Sequence, residues 1–501
     1  MERNPRAPGG SVFRAFGPAF ASAVLALALS SAWLVLGVAC ESPRKERARP
    51  VESSLARVDV YLGCSDPNAR SVVVELESAE LRAESGERVA LELARTQLVP
   101  AELGRRLPLA GASVPPDNYS ALVLRLRAAT LAGPDGPIEL RLVDRSAPVD
   151  PLAAPGPIDF VLPVRGRLAR QDALTLFVDW NVAASLTGGA EFAPAFALTT
   201  ERPRASLGLL YVADGAGGAV LAVDRSSGEV VATHKAGAEP RALALARDRR
   251  RLFVANARDG SLDLLDLQQG GVLSTLTFGL SARSSDVALV DRRGMLVVAQ
   301  RDLDKVSLID AGSFSRVLDL SVGRAPVRLA SAPDLERVFV VDSGAYAVEV
   351  VDLAARAIAG RIPVESRPSD AAVDRRGREL FVGHTTSPNL LVFDANTLVQ
   401  RATIFVGGDV TAVLCDRRRD RVFVARSRPC EIVVVDRAVG SVLRRIPMAD
   451  RVEALAQPVD GAELYGAAPD LGALVVVDVV LGKELPPIRC GGRPLDVLVA
   501  D

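Results

Sequence analysis

The feature that most restricts what this chain can become is a period. Short β-rich runs recur as "LYVA" at Leu210, "LFVA" at Leu252, "LVVA" at Leu296 and "VFVV" at Val338. The series goes on with "LFVG" at Leu380, "VFVA" at Val422 and "LYGA" at Leu464, so the step is 42 residues with a single step of 44. A second series, Asp224, Asp266, Asp310, Asp352, Asp394, Asp436 and Asp478, keeps the same steps. Self-similarity at such a period marks a structural unit repeated along the chain.

Each unit holds four strand-sized runs. In one they are Asp286–Val290, Met295–Ala299, Lys305–Asp310 and Arg316–Val322, separated by short turns such as "DRRG". Four short antiparallel strands per unit predict blades of a β-propeller. Helical solenoids are excluded, because no unit has room for an apolar face at 3.6-residue spacing.

Lettering the runs A to D outward from the channel, the repeats begin with a B strand at Leu209–Ala213 and end with an A strand, "DVLVA", at Asp496. Seven runs of each kind are present. The orphan A strand is therefore expected to pair with the orphan B strand, closing a seven-bladed ring. Inner strands have neighbours on both faces and read as continuous apolar runs. Burying Leu495, Val497, Leu498 and Val499 at roughly 1.5–3 kcal/mol each amounts to at most about 6–12 kcal/mol. That is comparable to the net stability of a typical domain, about 5–15 kcal/mol. An open ring would also expose a sheet edge.

The repeats resemble the YVTN family of bacterial and archaeal β-propellers over residues 207–501. The best unit is Leu252–Gly279, with Phe253, Val254, Ala255 and Asn256 in the name-giving position. Strands ending in Asp, followed by G-x-x-P segments ("GAEPRALALARD", "GRAPVRLASAPD", "GGRPLDVLVAD"), carry the match. Tyr465-Gly466-Ala467-Ala468 departs from it, and the D–A link before Glu453 has no G-x-x-P. The resemblance implies an extracytoplasmic scaffold and no single shared reaction.

Residues 55–201 lack the repeat but are also β-rich, with Pro/Gly turns such as "AGPDGP", and predict a β-sandwich. "SVVVELESAELRAESGERVALEL" and "LTLFVDWNVAASL" resemble a domain of unknown function found behind bacterial lipoprotein signals. The fold class expected is thus all-β: an N-terminal β-sandwich followed by a seven-bladed propeller.

Ahead of both, Arg3, Arg6 and Arg14 precede an uncharged stretch from Ala19 to Cys40, the pattern of a signal peptide over residues 1–40. "LGVAC" resembles a lipobox, in which Cys40 would be lipidated, although Gly37 stands where leucine is usual. Residues 41–54 are charged and Pro-containing, as a tether would be. These features predict export to the cell envelope. The net charge of −1 argues against a general nucleic-acid binder. Cys64, Cys415, Cys430 and Cys490 form no C-x-x-C, and with only His234 and His384 there is no multi-histidine metal centre. No cofactor or metal site is expected.

Tyr211, Phe253, Phe339, Phe381, Phe423 and Tyr465 share one position in strand B and are expected between blades. The aspartates ending strand C are expected to cap C–D turns. "DRR" turns at Asp248, Asp291, Asp374 and Asp416 predict a charged rim on the face of the A–B and C–D turns. The opposite face carries Arg241, Arg324, Arg367, Arg451 and Arg493, beside the start of strand A, with His384 in a B–C loop. Converging guanidinium groups would suit a carboxylate, a phosphate or an acidic chain. No G-x-S-x-G, Walker A or H-E-x-x-H is present. The leading expectation is a binding scaffold for a protein, polymer or anionic ligand. The alternative is a propeller hydrolase of the lactonase type, using acids among Asp214, Asp259, Asp342, Asp370, Asp409 and Asp470.

Overall fold

In the computed structural model the described residues are 55–64, 72–103, 106–133, 136–144, 156–170, 172–187, 190–200, 208–268, 270–279, 281–332 and 335–500. The expected signal segment, Cys40 and the tether lie outside them. Among the described residues no helix is long and apolar enough to cross a membrane.

The ring has seven four-stranded antiparallel sheets. Blade 1 joins the two ends of the repeat region: strand A is Pro494–Ala500, B Leu209–Asp214, C Ala219–Asp224 and D Val230–Lys235. Blade 2 begins at Pro240, blade 3 at Ser284, blade 4 at Pro326, blade 5 at Pro368, blade 6 at Val410 and blade 7 at Ala454. The closing pair is antiparallel and in register from Leu209↔Ala500 to Ala213↔Asp496. Both faces of the last strand are covered, as expected. Val497 and Val499 pack into the cluster shared with blade 7, while Leu498 and Ala500 pack against the one shared with blade 2.

The six strand-B aromatics are all buried, and the stack of Phe253 on Phe314, at 6.1 Å, joins blade 2 to blade 3. Each of the seven strand-C aspartates accepts a turn N–H, for example Asp352 from Ala354 and Ala355 at 2.9 Å. This is the side-chain mimic of a backbone turn that favours aspartate there. Blade 7, whose entry lacks G-x-x-P, has an A strand of only three residues, Ala454–Ala456. On the A–B/C–D face, Arg437 bridges Asp374 at 2.6 Å and Glu379 at 3.3 Å.

The N-terminal region is also all β. Twelve strands form one hydrogen-bonded sheet, ten along a continuous path and two pairing off it, that curls into a half-barrel over an apolar cluster containing Val58, Leu81, Leu124 and Trp180. Trp180, fully buried, donates its Nε1–H to Ser185 Oγ at 3.1 Å. This sheet docks on blade 1. Tyr61 and Phe177 belong to the cluster that contains Leu210, Val223, Val230 and Cys490. Arg106 reaches Asp179 at 3.0 Å and Glu229 at 3.3 Å, and Thr233 donates its N–H to Thr175 Oγ1 at 3.0 Å. The two strand patterns on either side of the repeat boundary thus have cores of their own and meet in one shared apolar cluster.

Candidate functional site

The face of the B–C and D–A loops holds the predicted arginines, but they do not act as one group. Arg324 and Arg367 lie in the D–A links that lead into blades 4 and 5, and the side chains of both pack on the B–C loop of blade 4. Arg367 Nε donates to Ser343 Oγ at 2.9 Å, and the Arg324 stem packs on Gly344, where an added Cβ would be 3.0 Å from its Cγ. Arg451 is neutralised by Asp470 at 3.0 Å and Glu453 at 3.4 Å. Arg493 is exposed, and it is its backbone N–H that is used, donating to Asp214 Oδ1 at 2.7 Å.

Arg241 differs. It is half-buried in strand A of blade 2, and among the described residues its side chain has no hydrogen-bond or ion-pair partner. Burial holds its guanidinium below the ordinary value, and the nearby Arg328 and Arg301 push the same way, against Glu453 and Glu239. His384 is buried, with Nδ1 3.1 Å from the Asn389 carbonyl oxygen, and Nε2 has no partner. Burial lowers its pKa, so the ring stays neutral near pH 7.

The channel wall contains a group that the pattern of arginines does not reveal. Asp286, Asp370 and Asp496 occupy one position of strand A in blades 3, 5 and 1. Each carboxylate clasps the next blade: Asp286 accepts from Leu329 N at 2.7 Å, Asp370 from Val413 N at 2.7 Å and Asp496 from Leu243 N at 2.9 Å. The other oxygen of each accepts the following N–H of its own strand. Arg328, at the equivalent position of blade 4, interacts with all three and donates to the Glu453 carbonyl oxygen at 2.8 Å. Burial raises all three aspartates, Asp370 to about 6 and Asp496 to about 7, with Arg328 opposing. The signal was in the sequence: aspartate or arginine inside an otherwise apolar inner strand, recurring at 42-residue steps.

Behind the ends of strand B lies a second polar layer. In blade 2, Asn256 donates to Asp263 at 2.8 Å and Thr275 donates to Asp263 at 2.6 Å. In blade 3, Gln300 bonds Ser307, which bonds Asp319. Blade 4 places Asp342 by Glu349, which pairs with Arg361 at 3.3 Å. Burial, then Glu349, raises Asp342 to about 8.

A cleft of about 930 Å³ lies off the axis, at the junction of the N-terminal sheet with blades 1 and 2. Arg57, Glu92 and Ser113 line it from the sheet; Lys235, Arg258 and Asp259 line it from the ring. Of the acids proposed for hydrolysis, Asp259 sits here and Asp370 in the channel, while Asp409 and Asp470 are surface partners of Arg428 and Arg451. Among the described residues no three His, Cys, Asp or Glu side chains are grouped to hold a metal ion. Cys415, Cys430 and Cys490 are free thiols, and burial raises Cys490 to about 12.

No family model matches the chain, and no curated protein does. Solved structures do. A functionally unknown protein from Desulfotomaculum acetoxidans is 11% identical over 59% of this chain and 99% of its own, with a TM-score of 0.53. Hydrazine synthase from Kuenenia stuttgartiensis is 16% identical over 52% of this chain and 89% of its own, at 0.47. The dihydro-heme d1 dehydrogenase NirN is 18% identical over 58% and 66%, also at 0.47. At these identities the likeness is one of fold.

Proposed function

We propose that this chain is an extracytoplasmic, lipid-anchored binding protein whose ring takes an anionic ligand at the mouth of its channel. Arg241 carries the reading. A half-buried guanidinium with no direct ion-pair partner is only partly compensated by Glu453 and Glu239, and an anion beside it would complete the compensation through charge-assisted hydrogen bonds. Arg301, whose side chain likewise has no partner among the described residues, supplies a second donor group nearby. The YVTN-like repeats and the stretch from Ala19 to Cys40 support an envelope location, and residues 41–54 supply the tether. Binding is favoured over lactone hydrolysis because both oxygens of each channel aspartate are engaged by N–H groups and His384 is tied to Asn389.

Isothermal titration of the full chain in detergent with phosphate and with citrate tests the site. Arg241→Leu is expected to weaken binding at least tenfold, and Arg493→Leu to leave it unchanged. Equal affinity in the Arg241→Leu protein refutes the mouth as the site. Cys40→Ser is expected to abolish incorporation of labelled palmitate in a bacterial host; undiminished labelling refutes the anchor.

A further inference from the structure

The structure carries a second candidate site, independent of the channel mouth. We infer that the cleft between the N-terminal sheet and blades 1 and 2 takes an extended basic peptide, added as a fifth strand to the open outer edge of blade 2.

Three observations converge on it. The first is the edge itself. Val272–Thr277 is the last strand of its sheet, and Val272, Thr275 and Thr277 line the cleft. In blade 1 the corresponding strand is wholly buried under the N-terminal sheet, whereas at blade 2 a cleft of about 930 Å³ separates the two walls. An edge unpaired by any strand offers a row of N–H and C=O groups to an incoming strand, here up to Thr277, whose carbonyl oxygen accepts from Arg316 at 2.9 Å. Its six residues span roughly 20 Å at about 3.3 Å each, enough for a peptide of five or six residues.

Charge is the second. Glu92, Glu239, Asp259 and Asp263 face the cleft, against Lys235, Arg258 and Arg57. Arg57 is engaged by Asp59 at 2.6 Å, Arg258 lies 4.0 Å from Glu239, and Asp263 is buried among its bonds to Gly237, Asn256 and Thr275, which leaves Glu92 and Asp259 against Lys235. Glu92 is exposed and has no ion pair among the described residues. An incoming cation therefore finds a carboxylate that no protein group neutralises.

The third is the shape and chemistry of the walls. Gly215, Gly217, Gly218 and Gly237 keep the ring side low, and a Cβ on Gly237 would stand 2.5 Å from Asn256 Nδ2. Among the described residues no aromatic side chain lines the cleft, and none there offers a stacking platform for a sugar ring or a base. Small walls, an open strand edge and an acidic excess suit a main chain with lysine or arginine side chains.

Fluorescence polarisation on the full chain tests this with a labelled pentapeptide of alternating lysine and threonine. Binding is expected, at least tenfold tighter than for the glutamate–threonine counterpart. Methylating alternate backbone nitrogens keeps the charge but removes strand pairing, and is expected to weaken binding at least tenfold. Glu92→Lys, on an exposed side chain, is expected to do the same, while Arg241→Leu leaves the peptide affinity unchanged. Absence of binding, equal binding of the acidic peptide, or full binding of the methylated peptide each overturns the proposal. Displacement of the peptide by equimolar spermidine would also overturn it, since charge alone would then account for the binding.

Discussion

Blade 1 and the blades that follow it are built from the same repeat but treat their outer strands oppositely. All six residues of Val230–Lys235 are buried, whereas Ser315–Ser321, Ala357–Pro363 and Gln400–Phe405 are mostly exposed. Blade 1 is also the blade whose inner strand comes from the far end of the chain. The blade closed without chain continuity is thus the blade that the N-terminal sheet covers. A sheet that can lose an inner strand by fraying gains most from a fixed outer strand, because opening must then break two interfaces at once. The N-terminal region is in this respect part of the closure.

The largest effect that would break this contrast is removal of Pro494–Asp501. The shortened chain is expected to lose up to about 6–12 kcal/mol of apolar burial and to be insoluble or protease-sensitive. If it melts like the parent, the closing strand contributes nothing and blade 1 is not special. Next comes the brace. Phe177 is fully buried, 6.1 Å from Tyr61 and under the Arg106 guanidinium at 5.5 Å. Phe177→Ala is expected to cost about 3–5 kcal/mol in a denaturant melt and to speed amide exchange across Val230–Lys235. Phe405→Ala, on the bare outer strand of blade 5, is expected to change stability by no more than about 0.5 kcal/mol. Equal losses for the two would mean that the sheet does not hold blade 1.

Titration sharpens the comparison at the inner strand. Asp496 clasps blade 1 to blade 2, and burial lifts its folded pKa to about 7, above an unfolded value of about 3.9. The folded carboxyl binds its proton more tightly than the unfolded one. Its contribution is therefore complete below about pH 4 and is lost as pH rises through about 7. Asp370, at about 6, and Asp342, at about 8, act in the same direction. Melting temperature is expected to fall from pH 5 to pH 8, and Asp496→Asn to flatten the part of the slope below pH 7. A variant with the parent's slope would show that this clasp does not titrate as described.

Blade number, ring closure, strand-B aromatics and strand-C caps were legible in the sequence because each is a periodic signal with a local cause. What eluded the reading was relational. Arg241, Arg324 and Arg367 all flank the start of a strand A, yet the first lies within its strand and feels the charge of Arg328, and the other two rest on Ser343 and Gly344. Asp286, Asp370 and Asp496 were legible as polar intrusions in apolar strands, but their N–H partners belong to the next blade. The cleft needed both walls, and its sheet-side residues, Glu92 and Ser113, come from a region without a period.

The most local of the losses isolates one bond of the brace. Thr175 Oγ1 accepts the N–H of Thr233, in the middle of the covered strand. Thr175→Val keeps the shape and removes the acceptor, leaving a buried N–H unsatisfied, which costs about 1–3 kcal/mol. The loss is expected at the low end, because Tyr61 and Phe177 keep the two sheets together and water is excluded only locally. Hydrogen exchange should report it at the Thr233 amide while the amides of Ser315–Ser321 stay at parental rates. Exchange that quickens equally on both outer strands would mean that the ring opens as a whole, and that covering one blade does not stabilise it separately from the rest.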